Sequence, residues 1–193
     1  MIEHFKDFFL EVSKDLYKRG SFWTPTLSTN TRSGHPASRT IVLREVIKNF
    51  QESKVSLEFH TDIRSSKWDQ LQQSDKSSLH FYCSKRKWQM RITGRGVPVS
   101  DHETLLEVWN NISPSSKEIY SLSNSPGSAQ SGHQKAMTFH EDGVSEGFRN
   151  FGIIRFECDY MDSLRLLSHS GQKLYHERLS WCLKSNKFEI LVP

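Results

Sequence analysis

Three stretches of the chain gather groups that together could hold a phosphate. Arg39 and Arg44 bracket an apolar run, Ile41-Val42-Leu43. His60-Thr61 closes an alternating segment, and Ser65-Ser66-Lys67 follows where a short helix would start. Guanidinium, hydroxyl, ammonium and the free N–H groups of a helix start are the parts from which anion sites are built. The same residues also read as ordinary surface cations, and composition does not separate the two readings. A geometric condition attaches to the first. Arg39 and Arg44 are five positions apart, so a straight strand would point them to opposite faces. Both reach one ligand only if the strand bends or bulges, or if one of them acts at a strand end.

Further along, Gln89 and Arg91 share a strand face in WQMRITG. A Gln amide both donates and accepts, as the polar edge of a heterocycle requires, although an exposed barrel strand would look the same. Lys173, His176 and Arg178 gather near a turn at Gly171. Nucleotide-binding glycine loops, the G-x-S-x-G nucleophile and the H-E-x-x-H zinc motif are all missing. His133 and His140, seven apart, read as solvated loop histidines, so no metal is expected.

The elements that must carry these groups are mostly strands. Phe5, Phe8, Phe9, Val12 and Leu16 have the spacing of an amphipathic helix over residues 1–20, ended by Gly20. FWTPTLSTN from Phe22 is a strand interrupted by Pro25, and SRTIVLREV from Ser38 is a second, after a turn over 32–36. VSLEFHTD from Val55 alternates as a half-buried strand should. A short helix over Ser65 to Gln73 has Ser65 or Ser66 as its N-cap. Two strands joined by Lys85-Arg86-Lys87 follow, then a helix capped by Asp101 and a short one after Pro114. The Ser- and Gly-rich stretch 121–147 reads as a long flexible loop. Three strands finish the chain, with a hairpin turn at Asn186. Seven or eight strands with short turns predict a mainly β fold, an antiparallel barrel or sandwich, and disfavour a doubly wound sheet.

The 193 residues predict a single domain spanning 1–193. Cys83, Cys158 and Cys182 are odd in number and far apart, which fits a reducing compartment and no disulfide framework. No apolar run approaches the roughly 20 residues of a membrane helix. Glu3, His4, Lys6 and Asp7 stand where a signal peptide would need an uninterrupted apolar stretch. A cytoplasmic location with no membrane partner is therefore expected. A net charge of +4 is low for nucleic-acid binding, which needs a clustered basic face, and suits a small anionic ligand equally well.

In order along the chain, LSTNTRSGHPASRTIVLREV, LEFHTDIRSSKWDQL, LHFYCSKRKWQMRITGRGVPV and, more faintly, HERLSW…LVP resemble the pyridoxamine 5′-phosphate oxidase family of FMN-binding split β-barrels, over residues 20–193. The resemblance implies a split antiparallel β-barrel, FMN as cofactor, and a homodimer with the cofactor at the subunit interface. It assigns Arg39 and Lys67 to the FMN phosphate. Thr40, Ile41 and Val42 fall to the strand along the isoalloxazine, and Arg44 to the neighbourhood of flavin and substrate. Thr61 matches, His60 stands where the family has Tyr, and Ser66 stands where many members have Arg. Gln89 matches an amide that reads the flavin, often from the partner subunit, and Arg178 a late arginine at the cofactor.

The departures concern the substrate. Where other members hold the substrate phosphate with Tyr, Arg and Ser, this chain has Val108, Ile112 and Ser116, so only the hydroxyl is kept. A late Arg-x-His becomes Lys173-Leu174-Tyr175-His176, and a late Trp becomes Leu167 or Ser168. Each lost charge-assisted pair costs about 1.5–3 kcal/mol of affinity. The resemblance thus implies an FMN-dependent oxidoreductase whose small-molecule substrate differs from pyridoxamine phosphate. Arg44, Ser116 and His176 are its substrate contacts, and no residue is assigned to catalysis. If the amine-oxidase reaction holds, hydride passes from a substrate carbon to the flavin and dioxygen reoxidises it. The alternatives are a flavin- or other ligand-binding module without turnover, and a nucleic-acid surface centred on Lys85-Arg86-Lys87.

Overall fold

Apolar residues recurring at three- and four-residue intervals fold Ile2–Lys18 into helix α1, whose buried face is Phe5, Phe8, Phe9 and Val12. In the computed structural model, which describes residues 1–129, 144–167 and 175–193, that face lies in the main core with Phe22, Phe81, Trp88 and Trp181. Phe8 meets Phe22, Phe81 and Trp88 at ring-centroid distances of 5.1, 5.2 and 5.6 Å, each edge to face. This is the geometry that ring quadrupoles favour. The helix is also tied by charge. Buried Asp15 accepts both guanidinium nitrogens of Arg86 at 2.8 Å and the Phe22 backbone N–H at 2.9 Å. Gly20 passes so close that a Cβ there would sit 2.2 Å from Asp15 Oδ1.

Among the described residues nine strands follow, all paired antiparallel. They are β1 (Thr26–Asn30), β2 (Pro36–Thr40), β3 (Leu43–Asn49), β4 (Lys54–Asp62), β5 (Lys76–Cys83), β6 (Trp88–Pro98), β7 (Phe151–Leu167), β8 (Tyr175–Cys182) and β9 (Lys187–Leu191). The order across the sheet is β2-β1-β5-β6-β7-β4-β3, with β8 on β7 and β9 on β8. One edge of β7 runs against β6. The other takes β4 along Phe151–Glu157 and then β8 along Tyr160–Leu167. This change of neighbour on one edge divides the sheet, and the fold is a split antiparallel β-barrel with a few helices around it.

The expected single strand from Ser38 is in fact two. β2 ends at Thr40, and the Ile41 and Leu43 N–H groups turn back to the Pro25 and Trp23 carbonyls, each at 3.0 Å. β3 then leaves to pair with β4. The register slips between Leu43 and Glu45, so Arg44 is the extra residue of a bulge. The break and the bulge together meet the condition on Arg39 and Arg44, and they raise the strand number to nine. The strand expected from Phe22 likewise starts only at Thr26, because Phe22 turns into the core.

The helices are α2 (Ser66–Gln73), α3 (His102–Asn111), α4 (Pro114–Glu118) and α5 (Val144–Asn150). Asp101 caps α3 through the Thr104 N–H at 2.8 Å, as expected. Helix α5 corrects the reading of 121–147 as loop throughout. Its VSEGFRN sequence has little apolar periodicity, and Phe148 is held by tertiary packing, 5.8 Å from the Trp109 ring. Residues 130–143 of that expected loop, with His133 and His140, lie outside the described residues. A second core cluster, Trp109, Tyr120, Phe151 and Ile153, sits beneath α3 and α5, with Val108 and Ile112 packed against it. No helix among the described residues is long and apolar enough to cross a membrane.

Candidate functional site

The end of β4 and the start of α2 bring together the groups from which an anion site was anticipated. The Lys67 ammonium donates to Thr61 Oγ1 at 2.9 Å and Ser65 Oγ at 3.1 Å. Ser65, the N-cap residue, turns its hydroxyl to the Asp62 carbonyl at 2.6 Å, so it is not used to cap the helix. Arg39 reaches the same region from β2. Its guanidinium donates to Thr29 Oγ1 at 2.6 Å, the Ala37 carbonyl at 2.9 Å and Gln70 Oε1 at 2.8 Å. Every one of these acceptors is neutral, and neither Arg39 nor Lys67 forms an ion pair among the described residues. Burial, and next the charge of Arg39, hold the Lys67 ammonium below the ordinary lysine pKa against an opposing pull from Asp62. Burial alone lowers Arg39. Two half-buried cations that feel each other, with no carboxylate between them, favour a dianion.

A cavity of about 430 Å³ opens beside Lys67, with Arg39 behind its lining. His60, Thr61, Asp62 and Lys67 form one side, with the Asp62 carboxylate paired to Arg64, and Tyr120 and the segment from Leu122 to Ser128 form the other. The His60 ring lies edge-on to Phe151 at 5.0 Å. Burial, then the nearby Arg44 charge, push its pKa down to about 4, so it is an uncharged imidazole at neutral pH. Burial pushes Tyr120 up to about 12, although Arg44 opposes this, so its phenol keeps its proton. Arg44 is exposed at the bulge and close enough to perturb both.

The remaining expected residues fall in three places. Thr40, Ile41 and Val42 form the end of β2 and the link to β3, with Thr40 exposed and Ile41 buried. Ser66 is exposed as the first residue of α2. Gln89 and Arg178 lie elsewhere, both opposite Leu164 of β7, in one lateral row. Arg178 and Arg91 converge on Asp162, where Arg178 bonds at 2.8 and 3.0 Å. Burial works against the Asp162 charge, but the two guanidiniums more than offset it and hold its pKa low. His60 faces Ile153 on the same β7. The two groups are therefore eleven residues apart along that strand, roughly 36 Å of contour. Ser116 is engaged with Ser113 at the start of α4, and His176 is exposed on β8 opposite Leu166. Lys173 and Ser168 lie outside the described residues. Of the basic triplet, Arg86 is taken by Asp15 and Glu11 and lies 4.8 Å over the Phe22 ring, which leaves Lys85 and Lys87 facing solvent.

Sequence reasoning passed over Gln70 and Thr29. Gln70 Oε1 accepts from both Arg39 and Thr29, at 2.8 and 2.6 Å, and so orients the guanidinium. Its signal was present, since Gln70 lies three positions after Lys67 and shares its helix face. Thr29 was also visible as a hydroxyl in register with Leu27 on an inward face.

A family model described as the pyridoxamine 5′-phosphate oxidase FMN-binding domain matches residues 3–99. That half carries Arg39, Lys67 and Gln89, but not Ser116, His176 or Arg178. The chain is 28% identical over 162 residues to pyridoxine/pyridoxamine 5′-phosphate oxidase 2 of Arabidopsis thaliana, covering 80% of this chain and 78% of that protein. It is 32% identical over 79 residues to a pyridoxine/pyridoxamine 5′-phosphate oxidase of a Nostoc species, covering 41% of this chain and 34% of that protein. Among solved structures it is similar to a pyridoxamine 5′-phosphate oxidase-related FMN-binding protein of Nostoc punctiforme, with a TM-score of 0.71, 19% identity, and 96% and 95% of the two chains covered. It is also similar to PhzG of Burkholderia lata, solved with tetrahydrophenazine-1-carboxylic acid, with a TM-score of 0.72, 20% identity, and 100% and 92% covered. At such identities the structural likeness is one of fold.

Proposed function

The chain belongs to the family of pyridoxamine 5′-phosphate oxidase FMN-binding domains, and from that premise we propose that it is an FMN-binding oxidoreductase acting on a small molecule other than pyridoxamine phosphate. The observation that carries this reading is the Arg39–Lys67 pair, two half-buried cations held only by neutral acceptors. The FMN phosphate is a dianion of the kind such a pair lacks. Thr61 and the N–H groups at the start of α2 add donors around it. FMN, when bound, supplies a hydride acceptor that dioxygen can return to its oxidised state. The protein's part is to bind and orient the ring between Tyr120 and the end of β4, with His60 uncharged and the Arg44 charge near both His60 and Tyr120. No side chain here is assigned a proton transfer.

The same reading places the cofactor between two copies of the chain. It is supported by the position of Gln89 and Arg178 opposite Leu164, eleven residues along β7 from Ile153, which faces His60. In that arrangement His60 and Thr61 of one subunit and Gln89 and Arg178 of the partner subunit would face the same ligand. On the substrate side, Val108 and Ile112 turn into the second core cluster and offer no polar group. That apolar packing favours a substrate without a phosphate, and it also supports the second reading, a flavin-binding module without turnover.

The test is titration of the purified, flavin-stripped protein with FMN and with riboflavin, which lacks the phosphate, together with light scattering for oligomeric state. FMN is expected to bind at least roughly ten-fold tighter than riboflavin, to a dimer. Equal affinity for the two would refute the phosphate assignment. Reduction of the loaded protein by candidate amines, followed by recovery in air, separates the oxidase from the silent module. Pyridoxamine phosphate is expected to reduce it slowly or not at all.

A further inference from the structure

Arg64 lies two residues before Ser66, the position that lacks the family's usual arginine, and a cation so placed could stand in as a phosphate contact. Its geometry says otherwise. Nε and Nη2 form a bidentate pair with buried Asp62 at 3.0 and 2.7 Å, and the Arg64 backbone N–H returns to Asp62 Oδ1 at 2.8 Å. The remaining nitrogen, Nη1, donates to the Leu122 carbonyl at 2.9 Å and toward the Ser123 carbonyl at 3.4 Å. The guanidinium is therefore shared between a carboxylate at the end of β4 and main-chain carbonyls 58 and 59 residues away. Those carbonyls begin the segment that forms the far side of the cavity.

The segment is also fixed on its N-terminal side. Asn150 Nδ2 donates to the Tyr120 carbonyl at 2.8 Å, and the Asn150 carbonyl accepts the Ile63 N–H at 2.9 Å. The Tyr120 ring packs on Phe151 and Trp109 at 5.2 and 5.8 Å. Past Tyr120 the chain runs through Leu122 to Ser128 with short polar residues, Pro126 and Gly127, and none of Asn124–Ser128 is fully buried. Beyond half-buried Leu122 the segment is mostly exposed, with Asn124, Pro126, Gly127 and Ser128 facing solvent. A planar donor fork that meets a carboxylate on one side and carbonyls on the other is what arginine supplies and lysine does not.

We infer that Arg64 is a positioning residue which staples the Leu122–Ser128 wall to the end of β4, and so sets the enclosure around the part of the cofactor beyond its phosphate. This rests on the FMN reading above for the ligand, but not for the staple itself. Wild-type protein, Lys67→Ala, Arg64→Ala and Arg64→Lys are titrated with FMN and with riboflavin, and amide hydrogen exchange is followed over residues 120–128. Arg64→Ala is expected to weaken both flavins by the same factor, roughly ten-fold, and to speed exchange across that segment. Lys67→Ala is expected to weaken FMN alone. Arg64→Lys keeps the charge but has one nitrogen to divide between Asp62 and Leu122, so it is expected to fall between wild type and Arg64→Ala in exchange. If Arg64→Ala abolishes the preference for FMN over riboflavin, Arg64 is a phosphate ligand and the inference is wrong. Unchanged exchange in Arg64→Ala overturns it equally. Should the wild-type protein bind neither flavin, the cofactor reading fails, and the exchange measurement still decides the staple by itself.

Discussion

Replacing Lys67 by Met removes one charge from the anion site and keeps the length of the side chain. Without ligand, the ammonium has two hydroxyl partners, Thr61 and Ser65, and a neighbouring cation, Arg39. Its loss leaves those hydroxyls hydrogen-bonded to each other and to the Asp62 carbonyl. Two hydrogen bonds are lost, while the burial of a charge and its repulsion by Arg39 are relieved. The two effects are of similar size, so the stability of the flavin-free protein should change by less than about 1 kcal/mol. Flavin binding should not be spared. A charge-assisted contact to the phosphate contributes about 2 kcal/mol, roughly a thirty-fold change in Kd. At an FMN concentration of about 100 times the wild-type Kd, ligand stabilises the wild-type fold by about 2.7 kcal/mol, and the variant by only about 0.9. For a chain of this size each kcal/mol moves the melting temperature by about 2–4 °C. The FMN-induced shift should therefore fall from about 5–11 °C to about 2–4 °C, with little change in the flavin-free melt. Thermal melts with and without FMN measure both quantities. A variant that melts well below wild type without flavin and keeps the full FMN shift would show that Lys67 is structural and the phosphate is held elsewhere.

Two further outcomes follow from the buried polar groups. His60 titrates near 4 in the folded protein, below its ordinary value of 6.5, so the unfolded chain takes up its proton first as pH falls. The His60 contribution is complete above about pH 6.5 and is lost toward pH 4, on the order of 3 kcal/mol over that window. Urea denaturation at several pH values should show the slope, and His60→Phe should flatten it relative to wild type; an unaltered slope would place the buried proton site elsewhere. Gly20→Ala would drive a Cβ to within 2.2 Å of Asp15 Oδ1, displacing the carboxylate from Arg86 and the Phe22 N–H. A loss of about 2–4 kcal/mol in urea denaturation is expected, with flavin affinity per folded molecule unchanged, and a neutral result would mean that the Asp15–Arg86 pair does not anchor α1.

What was readable in the residues was what local chemistry determines. The aromatic spacing of α1, the Asp101 cap and the hairpin at Asn186, which has φ 49°, are all set within a few positions of chain, whereas β4, expected to be half-buried, is covered on both faces from Leu57 on except at His60. The break between β2 and β3 was hidden because Ile41-Val42-Leu43 is a good strand sequence. The turn there is imposed by carbonyls of Pro25 and Trp23, some eighteen residues earlier in the chain. The same division holds at the site. Arg39, Thr61 and Lys67 could be named from residue type and order, and the structure brings them together. That no carboxylate neutralises them could not be read, nor that Arg64 would be spent on Asp62 and the carbonyls of Leu122 and Ser123. Those facts depend on which distant backbone arrives beside them.

The placement of β7 governs how the polypeptide can assemble during synthesis. Among the described residues it is the strand that pairs with both the four-stranded β2-β1-β5-β6 ribbon and the β3–β4 hairpin, and it begins only at Phe151. Until that residue leaves the ribosome, β4 and β6 each present a bare backbone edge that nothing upstream can cover. At about 5–20 residues per second the nascent chain spends several seconds in this state after β6 emerges. Premature termination before β7 would leave two unjoined sheets with sticky margins, a species suited to chaperone capture or clumping.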